Sequence, residues 1–460
     1  MTELAQAHEF WQRPPRRRSL AELTAAWQRG DFSPGQATRA LAERIRNHSA
    51  RDTIFLDPDL ERLEQAASAG FEPVGSGIEG VPVSLKDLFD VRGEITRAGS
   101  KVLADQPPAE RDAPAVSRLR RAGALAFGRT NMTEFAFSGL GLNPHYGTPP
   151  NPFDGDRIPG GSTSGGAASV AFGLAAATLG SDTGGSLRVP AAFCGLTGFK
   201  PTQASVPREG AWPLSTSLDC IGPIAPTVEC CARLWAALSG RECPVLDASP
   251  RPLRLALPQG ALFEELDDAV RDAFEHACAR LEAHGCRLER LPITAIEDTV
   301  AINARGGLVV PEAAALHHER LEAVPERFDP IVAERLGGGL TTSARDYLER
   351  LWPRTTLQQR FQRDLVGFDG VLLPATPLLP PARAPLERDR ALFMETNRRA
   401  LRHTNVFNYL DACALSLPFQ SPQMPLPLGL MVACPGGEDQ RVLQTSAVVE
   451  QLVTAEWPPR

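Results

Sequence analysis

The chain has almost no lysine. Of its 48 basic residues only Lys86, Lys101 and Lys200 are Lys, and the rest are Arg. A Lys kept inside an apolar segment is therefore more informative here than it would be elsewhere. A basic field is also missing: the net charge is -7, which leaves nothing to draw nucleic acid or anionic lipid and favours a small neutral or polar substrate. The nine Cys form an odd set without a CxxC pair, and the scattered His make no HExxH or other zinc spacing. No metal and no cofactor are expected, and free thiols fit a cytoplasmic protein. No apolar stretch reaches membrane-spanning length without a Gly, Pro or charge in it. Neither Gly-rich run continues into Gly-Lys-Ser/Thr, which disfavours a phosphate cradle, and no GxSxG elbow is present. Arg16, Arg17 and Arg18 are followed by SLAELTAAWQRGDF, amphipathic and charged where an export signal needs an apolar core. Residues 1–18 are therefore expected to form a solvated basic arm.

What the chain does have is length and an ordinary apolar fraction. Its 460 residues, 43% of them hydrophobic, suffice for one large α/β domain. Ser19 with Glu22 makes a capping box, and Ser33 followed by Pro34 starts a second helix to about His48, so the N-terminal part reads as a helical cover. From Gly80 short apolar strands alternate with helices: VPVSL, PAVSRLRRAG, ALAFG, SGGAASVAFGL, AAATLG. The alternation resumes at LRLALP, a helix over about 264–284, and CRLERLPI, and ends in GVLLPAT, ALSLPF, LPLGLMVAC and a closing helix. The expected fold is one α/β domain over 19–460, with a central mixed, mostly parallel sheet flanked by helices and a helical variable insertion at about 285–365.

Two stretches carry chemistry. Lys86 ends the strand VPVSL, and in open α/β sheets functional groups gather outside the carboxyl ends of strands. Buried there, its amine would have a depressed pKa and could act as a general base; at the rim it would simply pair with Asp87 or Asp90. GSDTGGSLRVP follows the apolar AAATL. Gly184 and Gly185 can aim consecutive N–H groups at one point beside the Ser186 hydroxyl, the arrangement of an oxyanion hole with an adjacent nucleophile. The alternative is a tight turn braced by an Asp182–Arg188 ion pair. None of the eight His lies near either Gly/Ser run, so a serine nucleophile would need another base.

At these residues the sequence resembles the amidase signature enzymes, whose signature is a Gly/Ser-rich run ending in a Gly-Gly-Ser nucleophile. Here that run is GGSTSGGAASVAFGLAAATLGSDTGGSLRVPAAFCG. GVPVSLKDLFDV, GRTNMTEFAFSGLGLNPHYGTPPNP, GLTGFKPTQ, STSLDCIGPIAPTV and FDGVLLPATP extend the match over about residues 20–455. The resemblance implies a Ser-cisSer-Lys triad in which Ser186 attacks, Ser162 relays the proton and Lys86 is the terminal base. It implies a cis peptide between Gly161 and Ser162. It implies an oxyanion hole from the backbone N–H groups of Thr183, Gly184, Gly185 and Ser186, with Asp182 and Arg188 in support. Ser162 precedes Ser186 by 24 residues, the family's spacing, and so takes the bridging role over Ser164.

Three positions depart from the family pattern. Asp411 and Cys413 replace a more usual Gly and Pro, which resembles the family's hydrolases of urea-derived amides. Cys220 stands where glutamine-using transamidases of the family commonly carry Gln. The resemblance thus implies a metal-free serine amidohydrolase that cleaves a small carboxamide through an acyl-enzyme and releases ammonia or an amine; the sequence leaves the oligomeric state open, a homodimer among the options. Its alternatives are the amide-cleaving component of a glutamine-dependent tRNA amidotransferase, which works with partner chains, and an inactive scaffold on the same fold.

Overall fold

The computed structural model describes residues 2–69, 74–419 and 424–454, so that 455–460 of the expected domain lie outside the described residues. Among the described residues eleven strands form one sheet: β1 Phe55–Asp57, β2 Pro82–Lys86, β3 Leu125–Thr130, β4 Ala177–Asp182, β5 Thr197–Lys200, β6 Cys220–Ala225, β7 Arg254–Pro258, β8 Arg287–Leu291, β9 Gly370–Pro374, β10 Cys413–Phe419 and β11 Leu428–Cys434. Their order is β1-β3-β2-β4-β6-β5-β10-β11-β9-β7-β8. Every residue of β2, β4, β9, β10 and β11 is buried, the pattern of central strands covered on both faces. The chain is a single α/β domain with a mixed sheet flanked by helices.

The sheet is less parallel than the strand and helix alternation implies. Parallel pairing is confined to β3-β2-β4 and to β9-β7-β8. Every pair from β4 through β6, β5, β10 and β11 to β9 is antiparallel. The helix Arg188–Cys194 carries the chain from β4 to β5 but skips one sheet position, and β6 fills the gap running the other way. Alternation in sequence sets the direction of strands joined by a crossover; it does not reveal a later strand inserted between them.

Two expected boundaries are corrected. The described part of the expected arm, residues 2–18, is not a solvated arm. Helix Glu3–Gln12 buries Ala7, Phe10 and Trp11, an i, i+3, i+4 stripe, and Trp11 Nε1 donates to the Ala37 carbonyl at 2.8 Å. Arg18 is 1% exposed, and its Nη2 donates to the carbonyls of Val170 and Ala171 at 3.1 and 2.9 Å, closing the end of helix Ser164–Ala171. The polar heads of that Arg run read as surface, yet one guanidinium meets orphaned helix carbonyls inside the protein. The helical region expected over 285–365 opens with a strand, since β8 pairs parallel with β7 at the sheet edge. Five helices then follow from Thr294 to Asp364.

Candidate active site

Three backbone segments meet at the carboxyl ends of β2 and β4. Lys86 is the last residue of β2, Ser162 precedes helix Ser164–Ala171, and Ser186 lies in the turn between β4 and helix Arg188–Cys194. All three are buried, with Lys86 and Ser162 at 0% exposure and Ser186 at 4%. Lys86 Nζ donates to Ser162 Oγ at 2.8 Å and to Ser181 Oγ at 2.9 Å. Burial lowers the Lys86 pKa to about 7, against the opposing charges of Asp182 and Asp219. A substantial fraction of the amine is therefore neutral at physiological pH. The rim pairing left open by the sequence is not what Lys86 does: Asp87 instead bonds Arg129, at 3.1 Å.

The peptide between Gly161 and Ser162 is cis. A Cβ at Gly161 would sit 2.6 Å from the Gly141 backbone nitrogen, so no larger residue fits without moving the chain. Lys86 and Ser162 are joined directly, whereas no hydrogen bond links Ser162 to the Ser186 hydroxyl among the described residues. In a free enzyme such contacts are often long and tighten when substrate binds.

Around Ser186 the backbone is held open. Gly185 has φ +141, and a Cβ there would collide with the Thr404 side chain. Thr404 Oγ1 donates to the Gly184 carbonyl at 2.6 Å and ties that oxygen away from the turn. The N–H groups of Gly184, Gly185 and Ser186 donate to no other group of the described residues. Unpaired donors gathered at one turn are what an oxyanion hole requires.

The Asp182–Arg188 ion pair exists as well, so the two readings of this turn are compatible. Arg188 grips Asp182 through Nε at 3.0 Å and Nη2 at 2.9 Å, both side chains being fully buried. Asp182 also accepts from the Leu187 N–H at 3.1 Å and from Asn408 Nδ2 at 2.8 Å. Burial alone would raise the Asp182 pKa, but Arg188 and Asn408 outweigh it and bring it to about 2. The carboxylate thus fixes the start of the helix that follows Ser186.

Several partners were not visible in the sequence. Ser181, a polar residue at the end of an apolar strand, carries the same signal as Lys86 and could have been found by it. Asn408, Thr404 and Asp219 reach the site from distant segments and carry no local signal. Asp219 accepts from Thr183 Oγ1 at 2.5 Å. The three departures from the family pattern lie outside the triad. Asp411 adopts φ 49, a conformation Gly takes freely, and receives the Gln203 N–H at 2.9 Å. Cys413 is buried in β10 against the carbonyls of Cys434 and Pro435, and Cys220 Sγ receives Lys200 Nζ at 3.3 Å. Among the described residues no cluster of three or more His, Cys, Asp or Glu is disposed to hold a metal ion, and no helix is long and apolar enough to cross a membrane.

Known proteins resemble this chain in sequence and fold. The model of the Amidase family matches residues 36–443. The chain is 33% identical over 449 residues to a 2-amino-5-chloromuconic acid deaminase of Comamonas testosteroni, covering 95% of this chain and 96% of that one. It is 31% identical over 463 residues to a chain of the glutamyl-tRNA(Gln) amidotransferase of Akkermansia muciniphila, covering 93% and 97%. A crystal structure of an amidase superposes with a TM-score of 0.85 at 34% identity, covering 95% of this chain and all of that one. The chain therefore belongs to the amidase family and is an enzyme of the amide C–N bond.

Proposed function

We propose that the chain is a serine amidohydrolase that cleaves a small carboxamide through an acyl-enzyme. Neutral Lys86 accepts a proton from Ser162 as Ser162 accepts one from Ser186, and the Ser186 oxygen attacks the amide carbon. The N–H groups of Thr183, Gly184, Gly185 and Ser186 hold the developing oxyanion. Return of the proton through Ser162 to the departing nitrogen releases ammonia or an amine and leaves an ester on Ser186. Water then attacks the ester by the same relay, frees the acid and restores the hydroxyl. Asp182 and Arg188 keep the turn in place and exchange no proton. The reading invokes no metal and no cofactor.

The observation that carries this reading is the 2.8 Å bond from a fully buried Lys86 to Ser162, with the lysine pKa brought to about 7. It gives a role to Lys86, which with Lys200 is one of two fully buried residues among only three lysines. The amidotransferase reading uses the same triad but needs partner chains, and Cys220 in place of the usual Gln counts against it. The test is a panel of aliphatic, aryl and ureido amides assayed for ammonia release with the isolated chain, with mass spectrometry of the intact protein to catch the acyl-enzyme. Turnover by the chain alone supports the hydrolase. Activity appearing only with partner chains supports the amidotransferase.

A further inference from the structure

Two buried carboxylates near the site belong to no ion pair among the described residues. Asp219 and Glu312 are each 8% exposed, and uncharged hydrogen-bond donors satisfy their oxygens. A buried carboxylate without a counter-charge is costly unless its oxygens are well satisfied, so the donors each one gathers show what it holds together.

Asp219 closes the turn 214–219 from inside. It accepts the Leu214 N–H at 2.9 Å and the Ser215 N–H at 3.1 Å, and on its other side the Thr183 hydroxyl at 2.5 Å. Glu312, on helix Val309–Ala323, holds the same turn from outside. It accepts from Ser215 Oγ at 2.7 Å and the Ser217 N–H at 3.0 Å, with Thr216 Oγ1 at 3.4 Å. Its second oxygen accepts from the hydroxyl of Tyr347, on helix Ala344–Leu351, at 3.0 Å. A continuous chain of bonds thus runs from Tyr347 through Glu312, Ser215 and Asp219 to Thr183, one of the proposed oxyanion donors. The turn also walls a cavity of ≈ 320 Å³ lined by Ser181, Thr183, Arg208, Trp212, Thr216 and Asp219.

We propose that Asp219 and Glu312 are positioning residues that clamp the 214–219 turn between the nucleophile turn and the helices of 294–364, and so set the placement of Thr183. This rests on the amidohydrolase reading above. Neither carboxylate touches substrate atoms in this account. Apart from the charge that Asp219 sets against Lys86, their effect is geometric, and small displacements of catalytic groups are expensive, with about 1 Å of misplacement able to cost a hundredfold in rate.

The test compares Glu312→Ala, Glu312→Gln and Ser215→Ala with Ser186→Ala in steady-state amide hydrolysis. Glu312→Ala should lower kcat about tenfold or more while KM moves less than about threefold. Glu312→Gln should recover most of the loss, because its amide oxygen can accept from Ser215 and Ser217 while the Tyr347 hydroxyl turns to accept from the amide nitrogen. Ser215→Ala removes one hydroxyl from the chain of bonds and should act in the same direction, and the Glu312→Ala/Ser215→Ala double variant should be no worse than the worse single one. If Glu312→Ala does not fold, Ser215→Ala, which deletes one oxygen, carries the test alone. Wild-type kcat in the variant tested, a Gln variant as poor as Ala, or additive losses would each overturn the clamp while an inactive Ser186→Ala left the amidohydrolase reading standing. An active Ser186→Ala would overturn that reading and the clamp with it.

Discussion

Lys86 and Ser162, 76 residues apart in sequence, share a buried hydrogen bond of 2.8 Å. The bond joins the end of an interior strand to the start of the helix beside the Ser186 turn, and Ser181 Oγ accepts a second hydrogen bond from Nζ at 2.9 Å. A protonated Lys in this setting would be a buried cation. A neutral one is a base with its acceptor orbital near a hydroxyl that can pass a proton on.

The Ser186 hydroxyl is the only proposed covalent acceptor. Ser186→Ala should therefore fold normally, with an unchanged circular dichroism spectrum, and lose at least about a thousandfold in kcat. Retained turnover within tenfold of wild type would remove Ser186 from the mechanism.

In the proposed mechanism Ser162 stands between nucleophile and base, so its loss would interrupt proton transfer in both halves of the cycle. Ser162→Ala should lower kcat by about 10²–10⁴-fold. Substrate binding, measured by calorimetry on the slow variant, should persist because the oxyanion donors come from the 183–186 backbone. A variant that binds and turns over like wild type would show that no relay passes through this residue.

Arg188 is the counter-charge of a fully buried Asp182. Arg188→Met should cost about 3–5 kcal/mol in urea unfolding, since it strands a carboxylate inside the protein. The wild-type pair also has a pH signature. The Asp182 pKa falls on folding from 3.8 to about 2, so its stabilisation is complete above the unfolded value and fades as pH drops through about 2. Unfolding free energies that are equal for wild type and Arg188→Met at neutral pH would show that the pair contributes nothing.

The sequence made some parts of the site legible and hid others for physical reasons. Lys86 and Ser186 are local signals: a cation ending an apolar strand, and a hydroxyl after two glycines that follow another. Ser162 took its role from the family resemblance, since a Gly/Ser run by itself reads as a loop. Glu312, Asn408 and Thr404 reach the site by tertiary contact, and no pattern near them in the chain announces it. Arg18 was hidden because polar composition says nothing about a helix terminus waiting inside. In the sheet, strand identity was plain from apolar runs, while the insertion of β6 between β4 and β5 depends on long-range pairing that periodicity does not encode.

The dependence of kcat/KM on pH in wild type and in Lys86→Arg tests the proposed base most directly. In wild type kcat/KM should rise with pH along a limb set by one ionisation near 7, the value to which burial brings Lys86. Lys86→Arg keeps the charge but cannot give up its proton in the accessible range, so it should lose the limb together with most of the activity. A Lys86→Arg enzyme with near wild-type kcat/KM and the same pH limb would show that Lys86 is a structural cation and that the proton goes elsewhere.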